Sequence, residues 1–294
     1  MEIIYLIIGL AFLIIGAEFI IRGSVSIAKK LKISLFAVGI VVVSFGTSLP
    51  ELGSCIHSVI TNHSDIAVGA IVGSNIANTI LIMGATTLFC PILIINKNQI
   101  NQSLINILIS IVLILFGWFS ITFNFLSGFI SILFLLMIMF YQIKIGTINI
   151  NEVEDKKSYS IIFSSAIIIL GILLLTFGSK VFINSVVTIS EKFQIAESVV
   201  GISLVAIGTS LPELVVGIIS ALKKKVDFAL GNVLGSNIYN VLGILAVSSF
   251  FGEFKIPILI SNFDLYFMTA VMIYITLVMV IFKKLNVIFG IISL

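Results

Sequence analysis

Long apolar runs separated by short polar breaks occupy most of the 294-residue chain. A helix needs about 20 consecutive apolar residues to cross the hydrocarbon core of a bilayer. Runs of that kind fall at about 2–21, 34–59, 66–90, 103–120, 125–146, 161–182, 196–221, 227–251 and 264–282, and are taken as spans 1 to 9. A last apolar piece, 285–294, is about ten residues long and too short to span; it reads as a half-span or as a truncated tenth helix. The longest polar stretch runs from Asn149 to Ser160 and carries Glu152, Glu154, Asp155, Lys156 and Lys157.

Composition agrees with this pattern. Hydrophobic residues make up 60% of the chain and charged residues 10%, against about 25% charged in a soluble domain. Mean hydropathy is +1.29. An ordinary soluble fold, a disordered chain and a secreted disulfide scaffold are thereby excluded. The net charge of +3 decides little, but the placement of the basic residues decides orientation. Of the 16 Lys and Arg, 13 lie in the odd-numbered loops, and only Lys180, Lys192 and Lys255 lie on the other side. The positive-inside rule puts the odd loops in the cytoplasm, giving a multi-pass cell-membrane protein with its N-terminus outside. The Met-Glu start lacks a basic leader, so span 1 is expected to be retained. Cys55 and Cys90 sit in apolar runs and read as buried free thiols.

The chain repeats itself at one constant offset. Gly46-Thr47-Ser48-Leu49-Pro50-Glu51 recurs 162 residues later as Gly208-Thr209-Ser210-Leu211-Pro212-Glu213. The same offset maps Gly73-Ser74-Asn75-Ile76 onto Gly235-Ser236-Asn237-Ile238, Asn78 onto Asn240, Gly9 and Gly16 onto Gly171 and Gly178, and Asn124 and Gly128 onto Asn286 and Gly290. Five spans per half is an odd number, so the second half enters from the opposite side. The expected fold is therefore an all-α membrane protein of about ten transmembrane helices in two inverted five-helix repeats. Residues 1–146 form the first repeat, 147–160 a short cytoplasmic linker, and 161–294 the second repeat with its last helix apparently truncated.

The repeated motif carries the candidate chemistry. Pro50 has no N–H, so the Gly46 carbonyl loses its helical donor and carbonyls near the break are free to face a cavity. Ser48, Thr47 and Ser44 precede Glu51 by three, four and seven residues and share its helical face. Around Glu213 the set is Ser210, Thr209 and Ala206, the last without a side-chain oxygen. Ser74 and Asn78, and Ser236 and Asn240, add hydroxyls and amides from the next helix of each half, and Gly73 and Gly235 are expected to let a neighbouring helix approach. The donors are all hard oxygens, which favours Ca²⁺, Mg²⁺ or Na⁺ over zinc or copper. An acidic residue at mid-membrane costs about 2.5–3.5 kcal/mol on the insertion scale, and a bound cation would neutralise the pair. The plainer alternatives are two protonated glutamates bonded between helices and hydroxyls that serve only as packing glue.

On these paired GTSLPE and GSNI-x-N segments the chain resembles the calcium/cation antiporter superfamily, and most of all its prokaryotic sodium/calcium exchanger branch. The resemblance implies a ten-helix fold with four ion sites in a diamond. Carried over by position, the calcium site would use Glu51, Glu213 and the carbonyls of Thr47 and Thr209. An outer sodium site would use Glu213, Thr209, Ser210, Ser236 and the Ala206 carbonyl. An inner one would use Glu51, Thr47, Ser48, Ser74 and the Ser44 carbonyl. Asn78, Asn240 and both glutamates would form the centre. Many relatives carry Asp where this chain has Asn240, potassium-dependent members among them, so K⁺ co-transport is not expected.

The function expected is electrogenic, K⁺-independent Ca²⁺/Na⁺ antiport by alternating access, with spans 1 and 6 sliding against the rest. Proton-coupled antiport of calcium or another divalent ion through the same glutamates is the alternative. No cofactor, nucleic acid or obligate protein partner is implied; the partners are the two ions and the lipid bilayer, and the chain is expected to be a monomer and not an enzyme. An intramembrane hydrolase is disfavoured, because the sequence has no His-Glu-x-x-His pattern. Elsewhere, Glu18 and Arg22 read as an interfacial ion pair, His57, His63 and Asp65 as outer-loop polarity, and Lys223-Lys224-Lys225 as an anchor in the inner leaflet.

Overall fold

The computed structural model describes residues 2–92, 95–146, 159–192 and 209–294. The linker 147–160 lies almost wholly outside the described residues, as do the first part of span 7, Gly208 and Ala206. Eleven helices are described: α1 (Glu2–Leu31), α2 (Leu35–Thr47), α3 (Leu49–Ile60), α4 (Ser64–Phe89), α5 (Lys97–Trp118), α6 (Phe125–Ile145), α7 (Ile161–Lys192), α8 (Leu211–Leu222), α9 (Val226–Ser248), α10 (Ile260–Phe282) and α11 (Val287–Ser293). Among the described residues seven helices are long and apolar enough to cross a membrane, or eight if the bent pair α2–α3 is one span. Two isolated bridges, Ile92–Leu285 and Phe123–Phe254, pair extended segments.

The structure corrects several spans. The first and sixth apolar runs end near 21 and 182 by hydropathy, but their helices continue to Leu31 and Lys192. Helix formation does not stop where lipid stops: the backbone bonds continue into the polar end while the side chains exchange lipid for water and protein. At 1.5 Å per residue the 30 residues of α1 reach about 45 Å, well beyond a hydrocarbon core of about 30 Å. Span 2 is not one helix. It breaks at Ser48 (φ −87°, ψ 8°), where α2 and α3 meet at 45°, and Pro50 falls in the first turn of α3, the helical position its missing N–H tolerates best. Ser210 (φ −88°, ψ 6°) and Pro212 begin α8 in the same way. Cys90 is only half-buried, unlike Cys55.

The halves pack on one another through contacts that recur at the 162-residue offset. The bridges Ile92–Leu285 and Phe123–Phe254 are images of each other under it. Gly128 on α6 faces Ala246 and Ser249, and Gly290 on α11 faces the matching Gly84 and Thr87. Asn124 and Asn286 cap α6 and α11, each side-chain oxygen accepting the N–H three residues on.

α1 and α7 run antiparallel and touch at their backbones. A Cβ on Gly16 would lie 2.7 Å from the Gly171 carbonyl oxygen, and one on Gly9 3.0 Å from that of Gly178. Gly23 repeats the contact against Ser164. Small residues thus recur every seventh position along both helices, and the seam they line holds the axes closer than any larger side chain would allow.

α4 and α9 are the innermost helices; 56% and 78% of their apolar windows are buried, against 28% for α1 and for α7. Both contain a stretch of widened helical turns, Asn78–Ile82 in α4 and Tyr239–Leu245 in α9. Such turns often mark functional segments. They begin at or just before Asn78 and Asn240. Gly235 lies where α2 crosses α9, a Cβ there meeting the Ile40 Cα at 2.8 Å, as expected. For Gly73 the segment that matches α2 under the offset, residues 197–208, lies outside the described residues.

Candidate ion-binding site

The break at Ser48 puts Glu51 in the first turn of α3, and the start of α8 after Ser210 puts Glu213 in its first turn. A helix N-terminus favours a carboxylate, by about 0.3–1 kcal/mol at exposed sites and more where water is excluded. The last turn of α2, ending at Thr47, presents its partly negative carbonyl end at the same break. Carboxyl groups and carbonyl dipoles are thus gathered where a cation would be held.

Both glutamates point inward, Glu51 3% exposed and Glu213 1%. They lie near enough to repel each other, and neither has a Lys, Arg or His partner among the described residues. Ser48 Oγ donates to Glu213 Oε1 at 3.2 Å across the two halves. Thr47 approaches Glu213, and Thr209 approaches Glu51 from the other half. Neither oxygen of Glu51 has a hydrogen-bond partner of normal geometry among the described residues.

The remaining predicted side chains close the same centre. Ser74 and Ser210 hydroxyls meet at 3.0 Å, and Asn240 Nδ2 donates to Ser74 Oγ at 3.2 Å. Ser236 is fully buried. Six buried oxygens of the predicted set lack any partner among the described residues: both of Glu51, Oε2 of Glu213, Oδ1 of Asn78, Oδ1 of Asn240 and Oγ of Ser236. Unpaired buried polar atoms are rare and costly, and six of the 13 found among the described residues fall on this one constellation.

Ser44 is hydrogen-bonded through both its carbonyl and its hydroxyl. Its carbonyl accepts Ser48 N–H at 3.1 Å and its hydroxyl donates to the carbonyls of Gly39 at 2.8 Å and Asn232 at 3.1 Å. It is committed to packing α2 against α9, because the chain keeps its helical hydrogen bonding up to Ser48 before it breaks. Ala206, its counterpart, lies outside the described residues.

Four polar residues escaped the sequence reading. Asn75 and Asn237 bond across the halves to Asn240 and Asn78. Thr79 accepts from Asn237 Nδ2 at 2.9 Å. Asn232 accepts from Thr47 Oγ1 at 3.3 Å. Asn75 and Asn237 stand inside the repeated GSN triplets, so a signal existed; but they point away from the glutamates, on a face that spacing from Glu51 does not reveal.

The peripheral residues behave more simply. Glu18 pairs with Arg22 and also with Lys223, both at 2.5 Å, so α1 is tied to the end of α8. Lys192 pairs with Glu2 at 2.9 Å, joining the ends of α7 and α1. Cys55 is buried, its Sγ 3.4 Å from the Ala67 carbonyl. His63 reaches only Thr61, and no cluster of three or more His, Cys, Asp or Glu occurs among the described residues.

Apolar helices long enough to span a bilayer, enclosing a buried acidic oxygen cluster, define a multi-span membrane protein with a polar centre. The family model described as sodium/calcium exchanger protein matches residues 1–144 and 163–294, and the chain belongs to that family. Sodium/calcium exchanger MaX1 of Methanosarcina acetivorans is 32% identical, with 96% of this chain and 91% of that protein aligned. Inner membrane protein YrbG of Escherichia coli is 26% identical over 82% of this chain and 77% of its own length. The solved structure of the sodium-calcium exchanger NCX_Mj soaked with 10 mM Na⁺ and zero Ca²⁺ superposes with a TM-score of 0.85 at 29% identity, covering 99% of this chain and 95% of that one.

Proposed function

We propose that this protein exchanges Ca²⁺ for Na⁺ across the cell membrane, electrogenically and without K⁺, by alternating access. The observation that carries the reading is the set of six buried oxygens on Glu51, Glu213, Asn78, Asn240 and Ser236 that lack a hydrogen-bond partner among the described residues. A cation is the partner that satisfies all of them together, and family membership makes Na⁺ and Ca²⁺ the ions. Two ionised glutamates balance one Ca²⁺ or two Na⁺, so a third Na⁺ moves net charge. Because both ions need Glu51 and Glu213, they travel on separate half-cycles. Ca²⁺ takes the two carboxylates with the carbonyls of Thr47 and Thr209, and the centre it borders is closed by the Asn78 and Asn240 amides, which adjoin the same glutamates. Na⁺ takes the flanking positions at Ser48 and Ser74 on one side, and at Ser210 and Ser236 on the other. Asn78 and Asn240 are neutral amides, which gives K⁺ no added carboxylate.

The architecture proposed is ten helices in two inverted repeats, 1–146 and 161–294, with the N-terminus outside. The contacts recurring at the 162-residue offset support it, as does the antiparallel pairing of α1 with α7. In this reading α1 and α7 slide as a pair along the other helices to open the site to one side at a time. The test is uptake of radiolabelled Ca²⁺ into vesicles carrying the purified protein, with Na⁺, K⁺ and H⁺ gradients imposed separately. Uptake driven by Na⁺ alone and lost in Glu51→Ala is the expected result. Uptake driven by H⁺ without Na⁺, or surviving Glu51→Ala, overturns it.

A further inference from the structure

Resting on that reading, we infer that Thr79, Asn75 and Asn237 form two hydrogen-bond relays that hold the amides of Asn78 and Asn240 with their oxygens, not their NH₂ groups, toward the transported ions. An Asn side chain is nearly symmetric in shape and opposite in polarity at its two ends. Turned one way it offers a cation an oxygen. Turned the other way it offers two positive hydrogens. Something must choose, and the choice is read from the bonding around each amide.

The first relay starts at a group that cannot reverse. The Asn75 backbone carbonyl only accepts, and it takes the Thr79 hydroxyl proton at 2.7 Å. With its one proton committed, Thr79 Oγ1 acts toward Asn237 only as an acceptor, so the end of Asn237 lying 2.9 Å away must be its NH₂. That turns Asn237 Oδ1 toward Asn78, whose facing end, at 3.1 Å, must therefore be its NH₂. Asn78 Oδ1 is left buried and partnerless among the described residues.

The second relay is one link shorter. The Asn237 backbone carbonyl accepts from Asn75 Nδ2 at 3.4 Å. Asn75 Oδ1 then accepts from Asn240 Nδ2 at 2.9 Å, and Asn240 Oδ1 is the second partnerless amide oxygen. Asn240 Nδ2 also donates to Ser74 Oγ. The two relays exchange roles under the 162-residue offset except at one position: Thr79 is matched by Val241, which has no hydroxyl. Thr79 is thus a positioning residue for the first relay, acting through Asn237 and Asn78.

The test measures Ca²⁺ binding to the full purified chain by calorimetry in Na⁺-free detergent solution. Thr79→Val keeps the side-chain shape and removes the relay hydroxyl. It should weaken Ca²⁺ binding about tenfold, the order expected when one fixed hydrogen bond is lost. Thr79→Ser should restore affinity to within about twofold, and in an Asn78→Ala background Thr79→Val should add less than about twofold, since no amide remains to orient. Wild-type affinity in Thr79→Val, failure of Thr79→Ser to rescue, or an undiminished effect in Asn78→Ala overturns the relay. Vesicle flux on the same wild-type sample separates the two readings: Ca²⁺ bound but not exchanged for Na⁺ sinks the exchange proposal and leaves the relay standing.

Discussion

The seam between α1 and α7 and the seam between α4 and α9 join the same two halves by opposite means. α1 and α7 meet through glycines and backbone, with the Lys192–Glu2 pair as a polar link at their ends. They rest on the other helices through an apolar cluster that includes Leu13, Ile20, Val25, Leu175, Val216 and Phe228, with Glu18–Lys223 as a polar tether. α4 and α9 are joined by directional bonds: Asn78 to Asn237, Asn240 to Asn75 and to Ser74, Asn237 to Thr79. Dispersion contacts change little when one smooth surface shifts along another, whereas a buried hydrogen bond is lost outright if its partners separate. The difference separates a helix pair whose apolar footing on the other helices suits sliding from a seam suited to holding ions in fixed geometry.

Substitutions can break this contrast, and the largest effect is expected at the fixed seam's acidic centre. Glu213→Gln keeps shape and removes charge; Na⁺-driven Ca²⁺ uptake should fall by more than about 100-fold, the scale of losing a buried charged partner, while thermal melting of the detergent-solubilised protein stays near wild type. Next comes the glycine seam inside the α1–α7 pair. Gly16→Leu drives a side chain into the Gly171 backbone; overpacking costs about 1–3 kcal/mol, read as a lowered melting temperature. Equal melting of Gly16→Leu and wild type would show the seam to be loose.

Ser48→Ala deletes the bond to Glu213 Oε1. A loss of about 1 kcal/mol corresponds to about fivefold weaker half-saturation by Na⁺ in the flux assay, with melting unchanged. The smallest effect belongs to the tether. Glu18→Gln removes the pairs with Arg22 and Lys223; partly exposed pairs contribute about 0.2–1 kcal/mol, so flux should change by less than about threefold. That change should vanish in high salt.

Much of this was legible in the chain. The motif pair and its offset point directly to Glu51, Glu213, Ser48, Ser74 and Ser210, because a doubled motif marks positions independently of the fold. Gly9, Gly16, Gly171 and Gly178 were visible as repeats, but their contact with one another was not, since spacing within a helix does not name the helix opposite. Thr79 offered no repeat signal at all, its counterpart being Val241. Span 2 read as continuous because hydropathy reports side chains, whereas the break at Ser48 is a backbone event at a residue of ordinary polarity.

The sequence by itself determined the helical class, the near-equal halves, and the residue types gathered around each Glu, since these follow from the length of apolar runs and from a repeat at fixed offset. Only the tertiary structure decided which polar groups pair off and which remain open: the Ser44 hydroxyl is taken by Asn232 and Gly39, Asn75 and Asn237 bond to the facing amides, while neither oxygen of Glu51 has a hydrogen-bond partner among the described residues. The physical reason is that a hydrogen bond depends on distance and direction between helices far apart in the chain, and neither composition nor periodicity carries that information.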